Sequence, residues 1–310
     1  MNEPIASYCS VGIIHPMAFP EVGKGDGPIL ETLRIIARDS YFSAVEVTWM
    51  KDPAVRQQAR ALLDTAALDV IFAGQPPLLM QKLNLNAEDE KERAKAIRQC
   101  KESADQAYEL GACMLAVLSG PDPGEAKRAR ATELLVDSLK QICAYAQEKS
   151  TDRMLSITLE TFDRTIDKKC LIGPTREAAA VAEAVKAEYS NFGLTLDLSH
   201  QPLLAETSHE MVITAIDHLV HVHIGNCVKS DPKHAAYGDN HPRFGIPGGE
   251  NGPDEVQRFL ETLVYAGYFK KNTPASRPVV SFEVKPLPGE DPELVIANAK
   301  RTLDLAWARV

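Results

Sequence analysis

The chain has 310 residues, 45% hydrophobic and 25% charged, the proportions of an ordinary globular protein rather than a disordered or fibrous one. Its formal net charge of −9, with no dense lysine or arginine stripe, argues against nucleic acid as a partner. No run approaches the ~18 apolar residues of a membrane span, the N-terminus lacks the pattern of a secretory signal, and the six cysteines form no C-x-x-C pair, so a cytoplasmic protein with reduced thiols and no membrane contact is expected.

In chain order, eight short runs rich in β-branched residues alternate with longer amphipathic stretches. SVGIIHP (10–16) precedes ILETLRIIARD, SAVEVTW (43–49) precedes DPAVRQQARALLDTAA, and LDVIFAG (68–74) precedes EDEKERAKAIRQCKESADQAYEL. CMLAVLSG (113–120) precedes EAKRARATELLVDSLKQICAYAQEK, and LSITLETF (155–162) precedes TREAAAVAEAVKAEYS. GLTLDLSH (193–200) and LVHVHIGN (219–226) follow, and VVSFEVKP (279–286) leads into a last helix, DPELVIANAKRTLDLAWARV. Apolar residues three and four apart make the longer stretches helical. Repeated strand–helix units predict parallel pairing through right-handed crossovers. With no G-x-G-x-x-G after the first run, an α/β fold of the (β/α)8 TIM-barrel type, a single domain over 1–310, fits better than an open doubly wound sheet. The segment at about 225–253 is too long and polar for an ordinary connection and reads as an active-site loop.

Such barrels build their sites at the C-terminal ends of the strands, so the polar residues closing each run carry the information. The fifth run closes with Glu160, the sixth with Asp197 and His200, the seventh with His221 and His223, the eighth with Glu283. His221 and His223 are two apart and share one strand face. Singly, each has a plainer reading as a cap or a satisfied core residue. Three carboxylates converging with an imidazole at one barrel mouth would be destabilising unless a cation neutralised them. The oxygen-rich set favours one divalent ion, Mn2+ first, with Mg2+ or Co2+ as alternatives and Zn2+ disfavoured.

The ordered series Glu160, Asp197-x-x-His200, His221-x-His223 and Glu283, each on the next strand, resembles the xylose-isomerase-like superfamily of sugar isomerases and epimerases. The resemblance implies that Glu160, Asp197, His223 and Glu283 bind one divalent ion, that Glu160 and Glu283 also serve as acid and base, and that His200 contacts a substrate oxygen. A metal on the carbonyl and neighbouring hydroxyl oxygens would stabilise the enediolate left by proton abstraction, and a carboxylate on either face would remove and return the proton. His221, one pleat deeper, is then expected to orient His223.

Epimerase-type relatives follow the H-x-H strand with a compact loop carrying a substrate arginine, whereas here a long segment precedes HPRFGIPGGENG. Arg243 is the candidate for that arginine, with His241 or Glu250 beside it. The stretch YGDNHPRFG also resembles the large subunits of C-glycoside deglycosidases, which cleave 3-oxo-glycosides by elimination together with a small subunit. An eliminating lyase is thus the second reading and a non-catalytic sugar-binding protein the third, which the retained pair Glu160 and Glu283 argues against. The expected partners are a sugar or glycoside and either further copies of the chain or a small subunit.

His15, Glu46 and Gln75 close the first three runs and are expected to line the sugar side of the pocket. Lys285 shares a face with Glu283 and is expected to be its ion partner. Trp49 and Phe162 are candidates for stacking on a sugar face.

Overall fold

Eight strands, each buried almost throughout, hydrogen-bond side by side in the order β1-β8-β7-β6-β5-β4-β3-β2, all parallel, in a computed structural model that describes residues 3–310. In chain order, β1 (Ser10–Ile13) is followed by α1 (His15–Ala18) and α2 (Ile29–Arg38), β2 (Ala44–Val47) by α3 (Pro53–Thr65), and β3 (Asp69–Ala73) by α4 (Gln75–Met80) and α5 (Glu90–Leu110). Then β4 (Met114–Leu118) leads to α6 (Glu125–Lys149), β5 (Ser156–Glu160) to α7 (Thr175–Lys186), and β6 (Phe192–Asp197) to α8 (His200–Leu204) and α9 (Ser208–Ala215). Last, β7 (Leu219–Gly225) leads to α10 (Pro253–Tyr265) and β8 (Val279–Glu283) to α11 (Pro292–Trp307). An isolated bridge between Ile14 and Glu46 joins β1 to β2 and nearly closes the ring. The fold is the expected (β/α)8 TIM barrel.

Local chemistry sets the ends of these elements. Asp89 accepts from the Glu92 N–H at the start of α5, and Gly111, at φ 74°, ends the helix in the left-handed region that glycine enters without strain. Thr207 and Glu210 form a reciprocal capping box on α9. Alternation along the strands then sorts the core. Residues such as Val45, Val47, Leu194, Leu196, Val280 and Phe282 face the helices and join the main apolar cluster. Their neighbours face inward. Ala44, Ile71 and Met114 belong to a small apolar cluster, while a buried polar layer pairs Thr195 with Thr158 at 2.9 Å and His221 with Ser281 at 3.1 Å. Gly12 makes room for that layer: a Cβ there would lie 2.5 Å from Ser281 Oγ. All six cysteines are free and buried. Among the described residues, no helix is long and apolar enough to cross a membrane.

Candidate metal centre

Strand register brings the four strand-end residues together. Asp197 stands opposite His223, and Gly225, two residues on, stands opposite Glu283. Glu160 ends β5, one strand further round. One potential ligand atom each from Glu160, Asp197, His223 and Glu283 lies within 4.8 Å of all the others, and all four residues are buried. His223 Nδ1 lies 3.3 Å from Glu160 Oε1 and 2.9 Å from Glu283 Oε2. Its Nε2–H donates to Glu46 Oε1 at 2.9 Å.

The electrostatics follow from burying acids beside imidazoles. Burial opposes a charge on His223, but the Glu46 and Glu160 carboxylates outweigh it and hold the ring well above the usual histidine range. Burial likewise works to raise Glu46, yet His223 and His221 pull its carboxyl below the usual value. For Glu283 burial wins, and the carboxyl is raised despite the pull of His241 and His223. Glu46 Oε2, Gln75 Oε1 and Glu283 Oε2 are buried without hydrogen-bond partners, the last out of line for a bond from His223. Buried, incompletely satisfied carboxylate oxygens around one imidazole are the donor set a divalent cation completes, so these residues fit such an ion.

The 226–252 segment closes over this centre. Asn226 and Asn251 tie its ends: Asn226 Oδ1 accepts from the Asn251 N–H at 2.8 Å, and Asn251 Nδ2 donates to the carbonyls of Leu198 and Gly225 at 3.1 and 3.0 Å. Between these ends, Asp239 and His241 reach inward. Asp239 Oδ1 accepts from His200 Nε2 at 3.0 Å and lies 2.8 Å from His241 Nε2, while Lys168 Nζ pairs with Oδ2 at 3.0 Å. His241 Nε2 also lies 3.3 Å from Glu283 Oε1. Its backbone has φ 48°, a left-handed conformation uncommon for a side-chain-bearing residue and typical of constrained functional positions. Burial works to lower His241, but Glu283 and Asp239 overcome it and hold the ring up at about 9. The cations around Asp239 outweigh its burial and hold it well below the carboxylate range. Two further groups with ligand spacing share these residues: Glu46 with His221 and His223, and Asp197 with His200 and His241.

A cavity of about 260 Å³ opens on the centre, and Glu46, Gln75, Glu160, His223, His241 and Glu283 are in its wall, with Phe162 beside them. Gln75 donates from Nε2 to Glu160 Oε2 at 2.6 Å. Asp197 and His200 lie behind that wall, and His200 Nδ1 donates to the Thr161 carbonyl at 2.7 Å. His221 is deeper still: its Nε2 bonds Ser281, and burial pushes its ring down to about 3. The group that engages the far nitrogen of His223 is therefore Glu46, not His221.

Further expected placements differ from the sequence reading, and Trp49 is not in the cavity wall. His15 does not line the cavity. β1 stops at Ile13 and the chain turns directly into α1, so the ring points to α2, where Nε2 bonds Thr32 Oγ1 at 2.7 Å. Arg243 also turns away, donating from Nε to Glu290 Oε1 at 2.8 Å. Lys285 is in the cavity wall, but Glu283 pairs with the two imidazoles instead of with it. Asp239 and Lys168 were not singled out from the sequence. The D-x-H spacing of Asp239 and His241 was the available signal.

Burial pushes the His15 imidazole down to about 3. Folding thus favours the neutral ring, and the stability it contributes is complete above about 6.5 and lost as pH falls from there toward 3. Between pH 7 and pH 5, His15→Gln should lose about 2 kcal/mol less stability than the parent, as read by urea unfolding at both pH values. Equal losses in the two proteins would contradict this.

Comparison with known proteins agrees with the fold. A family model described as "Xylose isomerase-like TIM barrel" matches residues 36–301. No curated protein sequence matches the chain. Similar solved structures include a D-tagatose 3-epimerase-like protein (18% identity, TM-score 0.70, covering 97% of this chain and 99% of the other). D-psicose 3-epimerase from Clostridium cellulolyticum H10, solved with D-tagatose, is 16% identical (TM-score 0.69, 96% and 98%). The IOLI protein "with a binding zinc atom" is 15% identical (TM-score 0.71, 97% and 99%).

Proposed function

Because this chain belongs to the xylose isomerase-like TIM-barrel family, we propose that it is a divalent-metal-dependent carbohydrate isomerase or epimerase that removes a proton from the carbon beside a sugar carbonyl. The observation that carries this reading is the convergence of Glu160, Asp197, His223 and Glu283 within 4.8 Å at the base of a cavity large enough for a sugar. These four residues would hold the ion. When bound, a divalent ion polarises a carbonyl and its neighbouring hydroxyl and makes the adjacent C–H acidic.

The chain's own side chains supply the rest. Glu160 and Glu283 close strands that are not neighbours in the ring, so one removes the proton and the other returns it from a different side. Gln75 fixes Glu160 through Oε2, so that Oε1 faces His223 and the cavity. Glu46 fixes the orientation of His223 by accepting its Nε2–H. Phe162 offers an apolar face against which sugar C–H groups can rest. Mn2+ is the proposed ion because the set is mostly carboxylate oxygen.

A second reading, elimination from a 3-oxo-glycoside, draws on the 226–252 loop. It sets His241 in the cavity wall beside Glu283, where an imidazolium could protonate a departing oxygen, a task that epimerisation lacks. Sugars and oxidised glycosides incubated in D2O separate the two. Exchange with only an isomeric sugar formed supports the first, release of an aglycone supports the second, and no exchange with either class overturns both. Asp197→Asn and His223→Ala should each weaken Mn2+ binding at least ~10-fold, since one ligand of a small set is lost, whereas His221→Ala should cost mainly stability. Unchanged Mn2+ affinity in both ligand variants, by calorimetric titration, rules out this centre.

A further inference from the structure

Two lysines are in the cavity wall, Lys168 and Lys285. Lys168 is neutralised: its Nζ lies 2.9 Å from Asp167 Oδ2 and 3.0 Å from Asp239 Oδ2. Among the described residues, the Lys285 ammonium has no acidic partner and no hydrogen-bond acceptor, because Glu283, the carboxylate that ends β8, is held by His223 and His241. Its backbone is nonetheless fixed. The Lys285 N–H donates to the His241 carbonyl at 2.7 Å, Val284 before it is fully buried in the core, and Pro286 follows. Lys285 follows two residues past the end of β8, a chain span of at most about 7 Å, and both Glu283 and Lys285 are in the cavity wall.

A cation without a partner in a cavity wall is free to pair with a group on the ligand. We propose that Lys285 receives an anionic group, a carboxylate or a phosphate, carried by the sugar at the end remote from the carbon that loses its proton. The span between Glu283 and Lys285 accommodates an extended six-carbon sugar with its reacting end at Glu283 and its last carbon toward Lys285. This inference rests on the reading of the centre as a sugar isomerase.

The test uses three ketoses that differ only at the last carbon: D-fructose, D-fructuronate and D-fructose 6-phosphate. Each is titrated calorimetrically into the metal-supplied protein, and proton exchange in D2O is followed on the same samples. At least one charged sugar should bind about 10- to 100-fold more tightly than D-fructose, and which one does so distinguishes carboxylate from phosphate. Lys285→Met should reduce that ratio to within about threefold, and Lys285→Arg should restore most of it. Equal binding of all three sugars, binding of none, or a preference that survives Lys285→Met overturns the proposal. Exchange of all three without charge preference would leave the isomerase reading standing alone. Charge-selective binding without exchange would instead keep the anion site and remove the proton-abstraction reading.

Discussion

Glu160→Gln and Glu283→Gln should each retain much of the metal while slowing turnover by about 10²–10⁴, the usual range for a positioned acid or base. Glutamine matches glutamate in size and can still offer an oxygen to a cation, but it cannot take a proton at neutral pH. At position 160 the replacement can keep the hydrogen bond from Gln75 Nε2, so geometry is preserved while basicity is lost. At position 283 it still faces His223 and His241. Two bases on different sides of the substrate also predict an asymmetry. Each variant should lose solvent exchange from one epimer while the intact carboxylate continues to exchange the other. Metal analysis and deuterium incorporation on the same preparations check both statements. Near-parental turnover in both variants would dismiss the two-carboxylate mechanism and shift attention to His241.

Asp239→Ala should destabilise the protein by about 3 kcal/mol, the low end for removing one member of a buried charged set. Asp239 is the anion shared by His200, His241 and Lys168, and its own N–H is held by Asp167 Oδ2 at 3.1 Å. The cost stays at the low end because His241 keeps Glu283 at 3.3 Å and His200 keeps Asp197 at 3.4 Å. The contact between the 226–252 loop and the segment after β5 runs in part through this carboxylate, beside the Asp239 N–H bond to Asp167 and the Lys168 Nζ bond to the Asp239 carbonyl. Limited proteolysis should therefore cut the loop faster in the variant than in the parent. Urea unfolding within about 0.5 kcal/mol of the parent, with unchanged cleavage, would contradict the assignment.

The strands were legible because a parallel barrel buries both faces of each strand, leaving runs that end abruptly at polar residues. LSITLETF and VVSFEVKP thus foretold β5 and β8 and placed Glu160 and Glu283 at their ends. The helices after β6 and β7 gave weaker signals. α8 has five residues and α9 eight, and α10 begins only after the long polar loop. His15 falls outside β1 because Pro16 at the first turn favours α1, which the apolar pattern of SVGIIHP does not reveal. Arg243 meets Glu290 across 47 residues of chain, a pairing no local pattern encodes. Asp239 stayed hidden for a related reason: in a loop, a carboxylate has no periodicity to betray which way it faces.

The amide pair at Asn226 and Asn251 has a consequence for how such a protein can diversify. Because the two asparagines bind one another and the carbonyls at the ends of β6 and β7, the excursion leaves and re-enters the barrel at almost one point. The strands therefore do not sense the length of what lies between, and lengthening a closed loop costs little, about 0.6 kcal/mol for each doubling. The segment behaves as a cassette. A lineage can lengthen or shorten it between Asn226 and Asn251 while the strands that carry Glu160, Asp197, His223 and Glu283 keep their places.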